Sequence, residues 1–180
     1  KVYLLPSISA YVGADIVADI LSSGLYKDKA TALLIDVGTN GEIVLGSSDG
    51  ILCCSTAAGP AFEGATIRHG MGGVSGAINT VKLNDGHISY TTIADVPAAG
   101  ICGSGIVDAM ALLLDCGAVD TSGKMLTAGE AANDTGACDL AGKLTAHDER
   151  PAFVLADAAR AEAGEPILLI QQDVREVQLA

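Results

Sequence analysis

Residues 33–43 read Leu33-Leu34-Ile35-Asp36-Val37-Gly38-Thr39-Asn40-Gly41-Glu42-Ile43. An apolar run that ends on a carboxylate predicts a buried strand over 30–37, and Gly38-Thr39-Asn40-Gly41 predicts a tight turn. Glu42-Ile43-Val44-Leu45-Gly46 predicts a returning strand. Asn-Gly is a strong hairpin signal because both residues accept positive φ. A second turn at 47–50 leads into a third strand at 51–55, so three antiparallel strands are expected across about 30–55. The same stretch suggests chemistry. Glycines and a hydroxyl in a tight turn let backbone N–H groups approach phosphate oxygens, and Asp36 could hold a magnesium ion through water. An ordinary hairpin, with Asn40-Gly41 merely supplying positive φ, is the competing reading.

Upstream, residues 2–5 read as a short apolar strand closed by Pro6. Val12, Ile16, Val17, Ile20 and Leu21 fall at helical spacing over 11–22, with Gly24 as the stop. Downstream, residues 57–64 suggest a turn feeding a short helix that carries Glu63. Residues 74–93 alternate as strands around Asn84-Asp85-Gly86, and Gly100-Ile101-Cys102-Gly103-Ser104-Gly105 opens a helix over 106–116. Residues 117–150 are weakly patterned and are expected to be a surface excursion. Residues 153–156 and 167–170 read as strands, and Asp173 is placed to cap a last helix. The alternation of strands and helices predicts an α/β fold.

The chain has 180 residues, 49% of them hydrophobic, and a net charge of −12, so it can bury a core. Its Arg residues are scattered and no basic cluster exists. That argues against a nucleic-acid partner and against an anionic membrane surface. No apolar run reaches membrane-spanning length. Lys1 begins the chain as if mid-strand, so a piece of a longer protein is expected. Cys53, Cys54, Cys102, Cys116 and Cys138 lack metal-ligand spacing and read as buried, reduced thiols of a cytoplasmic protein.

Two further segments could bind an anion. Gly103, Ser104 and Gly105 sit where exposed N–H groups of a helix start would lie, although close helix packing explains the same glycines. Glu63, beside Gly59-Pro60 and Gly64, could reach a ribose or an attacking water, or simply favour a helix dipole. Arg68-His69-Gly70-Met71-Gly72-Gly73 is a candidate mobile loop. His87 and His147 pair with no nucleophile in the sequence, and neither a Ser-His-Asp arrangement nor a metal-ligand cluster is visible.

In order, Asp-x-Gly-Thr between apolar strands, a third strand, and a glycine-rich bend resemble half of the actin-like ATPase fold shared by sugar kinases, acetate kinase, heat-shock chaperones and actin. Five ordered motifs narrow the likeness. They are Tyr11-Val12-Gly13-Ala14-Asp15, Leu34 through Gly46, Ala58-Gly59-Pro60-Ala61-Phe62-Glu63-Gly64, Gly100 through Asp108, and Asp173-Val174-Arg175-Glu176-Val177-Gln178-Leu179-Ala180. Together they resemble the C-terminal domain of the reductive activators of corrinoid proteins.

That resemblance implies a ribonuclease H-like mixed sheet with flanking helices, forming an incomplete half of a two-domain fold. Residues 1–180 would be a single partial domain. It implies ATP with Mg2+, a [2Fe–2S] cluster in an N-terminal domain of the parent, and a corrinoid protein of a methyl-transfer system as partner, returned to the cob(I) state. A homodimer stays open. Asp36, Gly38, Thr39, Asn40 and Gly41 would form the second phosphate motif, with Asp36 on the metal side, while Glu63, Gly103, Ser104 and Gly105 would line the same cleft. The first phosphate motif and the adenosine motif are expected outside this segment, and no plant-type cluster run of cysteines occurs in it. The catalytic groups stay unassigned, and the segment alone is expected to be inactive. Two other readings compete: half of a metabolite kinase, with Asp36 or Glu63 near a substrate hydroxyl, and a non-catalytic actin-like docking or dimerisation module.

Overall fold

The computed structural model describes residues 1–131, 140 and 142–180. These divide into two compact units, Lys1–Gly59 and Pro60–Ala180.

In the first unit, helix α1 spans Ala14–Ser23 and ends at Gly24, whose φ of 74° supplies the left-handed stop expected from the sequence. It starts later than predicted, because Val12 pairs in a bridge with Ser9. Residues 2–5 form no strand: they have no ladder partner, and Val2, Tyr3 and Leu4 are exposed. Strands β1 (Ala32–Val37), β2 (Asn40–Ser47) and β3 (Gly50–Ala57) make an antiparallel sheet in chain order, as predicted. The pleat sorts their side chains. Ala32, Leu34, Val44 and Cys53 meet Val12, Ile16, Ile20 and Leu25 in one small core. Leu33, Ile35, Val37, Leu45 and Leu52 lie on the opposite face and are exposed, Leu52 by 75%.

The second unit begins with turns over 61–69, where no helix forms. Strands β4 (Ala77–Asn84) and β5 (His87–Thr92) form a hairpin. Its turn residues Asp85 and Gly86 have φ of 49° and 82°, which is the chemistry the sequence predicted there. Strand β6 (Gly100–Ile101) runs parallel to β4, so this sheet is mixed, in the order β5-β4-β6. Helix α2 (Gly103–Asp115) follows and buries Ile106, Ala109, Met110, Leu112 and Leu113. Helix α3 is the single turn Ala128–Ala131. Strands β7 (Leu144–His147), β8 (Arg150–Ala156) and β9 (Ile167–Ile170) form an antiparallel sheet, and helix α4 spans Gln171–Leu179.

One core joins these parts, with Ile78, Ile101, Ile106, Leu113, Phe153 and Leu169 fully buried. Within 117–150, Val119, Met125, Leu140 and Leu144 contribute to that core. Cys53, Cys54 and Cys102 are free thiols; Cys54 is exposed rather than buried. Cys116 is disulfide-bonded, which corrects the expectation of reduced thiols throughout. Cys138 lies outside the described residues. Among the described residues, no helix is long and apolar enough to cross a membrane.

Candidate functional site

The first group of candidate residues lies at the β1–β2 hairpin. Asp36 is half-buried near the end of β1, on the face that carries Ala32 and Leu34. Its register partner on β2 is Glu42, and Glu42 pairs in turn with Ser55 on β3. The Ser55 hydroxyl donates to Glu42 Oε1 at 2.9 Å, which fixes that carboxylate beside Asp36. Burial pushes the Asp36 carboxyl above its ordinary range, and the charges of Asp19, Glu42 and Asp15 push the same way. Like charges directly opposite in a ladder oppose folding, so this acidic group is costly locally.

The turn differs from the predicted one. Asn40 and Gly41 already belong to β2, where Asn40 pairs with Ala57 and Gly41 with Val37 and Thr56. Neither residue has a positive φ. The reversal falls on Gly38 and Thr39, and the Gly38 N–H donates to the Asn40 carbonyl at 3.0 Å. The Thr39 carbonyl accepts the N–H groups of Ala58 and Gly59 at 3.1 and 2.8 Å, tying the exit of β3 to the hairpin tip. Supplying positive φ therefore does not account for Asn40-Gly41. What Gly41 provides is room, since a Cβ there would press to 3.3 Å from Thr56 Cγ2. Thr39 and Asn40 are exposed at the tip.

The second group lies in the other unit, at the start of α2. No side chain caps this helix at Cys102, so its first-turn N–H groups form an uncapped positive end. The Ser104 hydroxyl donates to the Asn79 carbonyl at 2.8 Å. Gly103 and Gly105 also meet a packing demand: a Cβ on either would run into a backbone carbonyl oxygen, Phe62 for Gly103 and Ile78 for Gly105. Glu63 is exposed on the turn after Phe62, not on a helix. Asp36, Gly38, Thr39, Asn40 and Gly41 are thus gathered in one unit; Glu63, Gly103, Ser104 and Gly105 are gathered in the other.

Two participants were not picked out from the sequence. Glu42 and Ser55 follow from the three-strand register, which a turn of different length would have shifted. Asp173 caps α4 as the sequence placed it, accepting the Ile170 N–H; its other contact, with the Arg68 N–H, spans 105 positions and has no local signal.

Among the described residues no group of three or more His, Cys, Asp or Glu is arranged to hold a metal ion. The pair Asp36 and Glu42 suits a cation that keeps most of its water and uses one or two carboxylates, as magnesium does. The free thiols do not suit a [2Fe–2S] cluster: Cys53 and Cys54 are in one unit and Cys102 in the other, and four thiolates are needed.

A mixed α/β architecture, with a three-stranded hairpin sheet carrying Asp-x-Gly-Thr and a glycine-rich helix start, defines the actin-like ATPase class. Residues 30–180 match the family model for the C-terminal domain of RACo, described as the ASKHA domain, and residues 1–28 match that for the RACo middle region. The chain belongs to the RACo C-terminal domain family. It is similar to the corrinoid activation enzyme RamQ of Eubacterium limosum, with 40% identity over 99% of this chain and 29% of that protein. A [Co(II) methylated amine-specific corrinoid protein] reductase of Methanosarcina barkeri is 29% identical over 69% of this chain and 27% of that protein. The solved structure of a reductive activator for a corrinoid, iron-sulfur protein superposes with a TM-score of 0.84 at 35% identity, over 97% of this chain and 27% of that one. This chain spans less than a third of the length of these relatives.

Proposed function

We propose that this chain is the nucleotide-binding and partner-docking segment of an ATP-dependent activator that returns the corrinoid of a methyl-transfer protein to the cob(I) state. The names of the relatives support that reading, since they are activators or reductases of corrinoid proteins. The observation that carries the nucleotide assignment is the β1–β2 hairpin. It pairs a half-buried carboxylate, Asp36, with an exposed tip at Thr39 and Asn40. In this reading Asp36 would hold a magnesium ion through water, and the backbone of Gly38, Thr39, Asn40 and Gly41 would bind the phosphates. In the other unit, Gly103, Ser104 and Gly105 carry the uncapped positive end of α2, which suits an anion, and Glu63 is the carboxylate assigned to the ribose or the attacking water. ATP binding or hydrolysis changes the affinity for the corrinoid protein, and that differential affinity is what couples the nucleotide to electron transfer. A [2Fe–2S] cluster, if carried by the parent outside this chain, would supply the electron. A homodimeric parent and a cytoplasmic location belong to the same proposal.

The test uses the full-length parent with its corrinoid protein. ATP hydrolysis stimulated by that protein is expected, and Asp36→Ala is expected to lower it about 10²-fold, the scale of removing one electrostatic stabiliser of a transferring group. A wild type that neither binds nucleotide nor reduces the corrinoid refutes the reading. Phosphorylation of a small metabolite would favour a kinase instead.

A further inference from the structure

Asp173 is the one charged side chain buried to 1% exposure among the described residues, and the proposed function gives it no role. It stands in the first turn of α4, and Oδ2 accepts the Ile170 N–H at 2.9 Å. Capping alone does not require burial, because surface Ser, Thr or Asp side chains cap helices routinely. The second oxygen distinguishes this residue: Oδ1 accepts the Arg68 N–H at 2.8 Å, from the loop that the sequence marked as a candidate mobile segment. No Lys or Arg lies within ion-pair distance of it among the described residues. A carboxylate so placed is expensive unless both oxygens are satisfied, which these two N–H groups accomplish.

The Arg68 segment then leads directly to the second candidate group. The Ile101 N–H donates to the His69 carbonyl at 2.8 Å, and the Met71 N–H donates to the Ile101 carbonyl at 2.9 Å, making a parallel bridge centred on Gly70. Ile101 is followed by Cys102, where α2 begins, and the Cys102 carbonyl accepts the Ile106 N–H at 2.9 Å. On its other side Gly70 crosses so near Gly64 that a Cβ on Gly70 would run into the Gly64 carbonyl oxygen. One carboxylate therefore holds α4 to a strap that touches both the chain after Glu63 and the residues before Gly103.

We propose that Asp173 is a positioning residue of the nucleotide site, holding the 68–71 strap so that the start of α2 and the Glu63 turn keep a fixed relation to α4. The proposal rests on the reading of Glu63 and Gly103–Ser104–Gly105 as nucleotide-facing.

The experiment uses the full-length parent and two readouts: amide hydrogen exchange without nucleotide, and affinity for ATP with Mg2+. Asp173→Asn removes one acceptor and is expected to speed exchange at Met71 and Ile101 at least tenfold and to weaken ATP binding about fivefold. Asp108→Asn is the control, since Asp108 also accepts a backbone N–H, that of Val81 at 3.0 Å, away from the strap. It is expected to change ATP affinity less than twofold. Should Asp173→Asn fail to fold, Asp173→Ser keeps an acceptor for Ile170 but cannot reach both N–H groups, and the same two readouts apply. Unchanged exchange at Met71 and Ile101 overturns the proposal. Faster exchange with ATP affinity inside twofold also overturns it, leaving Asp173 as a fold anchor and the site reading intact. A wild type that binds no ATP overturns the site reading itself, and the positioning role falls with it.

Discussion

Replacing Gly105 by alanine sets two known effects against each other. Alanine in an open helical position gains about 0.5–1 kcal/mol over glycine, because glycine loses more backbone freedom on folding. At Gly105 the new methyl has no room. It would run into the Ile78 carbonyl oxygen and lie 2.9 Å from Ile101 Cγ1 and 3.0 Å from the Ile78 carbonyl carbon. Ile78 and Ile101 are both 0% exposed, so neither can swing aside into solvent. The same Ile78 carbonyl accepts the Cys102 N–H at 3.1 Å, and the Cys102 thiol at 3.4 Å. Easing α2 outward to relieve the clash sacrifices that bond, worth about 1 kcal/mol. Overpacking costs about 1–3 kcal/mol. Together the clash and the lost bond outweigh the helix gain and leave a net loss of about 2 kcal/mol. For a unit of this size that lowers Tm by about 8 °C. Calorimetry on this chain reads it directly, with Gly50→Ala as the contrast, because no described residue lies within 4 Å of a Cβ there. A Gly105→Ala melting temperature at or above the parent's would show that the helix start is not pressed against β4, and would refute the packing argument.

Three further outcomes are expected. Glu42→Gln lowers the Asp36 pKa toward the ordinary 3.8, readable by NMR titration, because it removes one of the like charges that raise it. Since folding raises that pKa, the contribution of Asp36 to stability is complete below about pH 4 and fades as pH rises through the folded value. His69 has the opposite sign. Burial, then Arg68, lowers its pKa from 6.5, so its contribution is present above 6.5 and is lost on acidification, which a denaturant midpoint measured against pH would show. Glu130 is held at about 2 by hydrogen bonds from Lys124 and Thr127, and Lys124→Ala should move its titration back toward 4.5.

The elements legible in the sequence were those whose signals are local. The 30–57 strands carry apolar runs broken by turn residues, and the Asp85-Gly86 turn needs positive φ, so composition announces it. Gly24 stops α1 for the same reason. Misreadings arose where distant partners decide. Residues 2–5 have a strand's composition but no neighbour to pair with. Asn40-Gly41 has a turn's composition but is drawn into β2 by the pairing of Asn40 with Ala57 and of Gly41 with Thr56. In the candidate site, Asp36 and the helix start at Gly103 could be named in advance. Their supports could not, because Glu42 with Ser55 and Asp173 with Arg68 are cross-element contacts.

The bare face of the first unit's sheet gives the large negative charge a role in solution behaviour. Leu33, Ile35, Val37, Leu45 and Leu52 form an uncharged surface that would draw two molecules together by the area it removes from water. A net charge of −12 holds the same molecules apart, but only over a screening length of about 10 Å at 0.1 M salt. Attraction that salt does not weaken is thus opposed by repulsion that salt does. This chain should scatter as single particles in dilute buffer and associate as ionic strength rises, with Leu52→Ser suppressing the association.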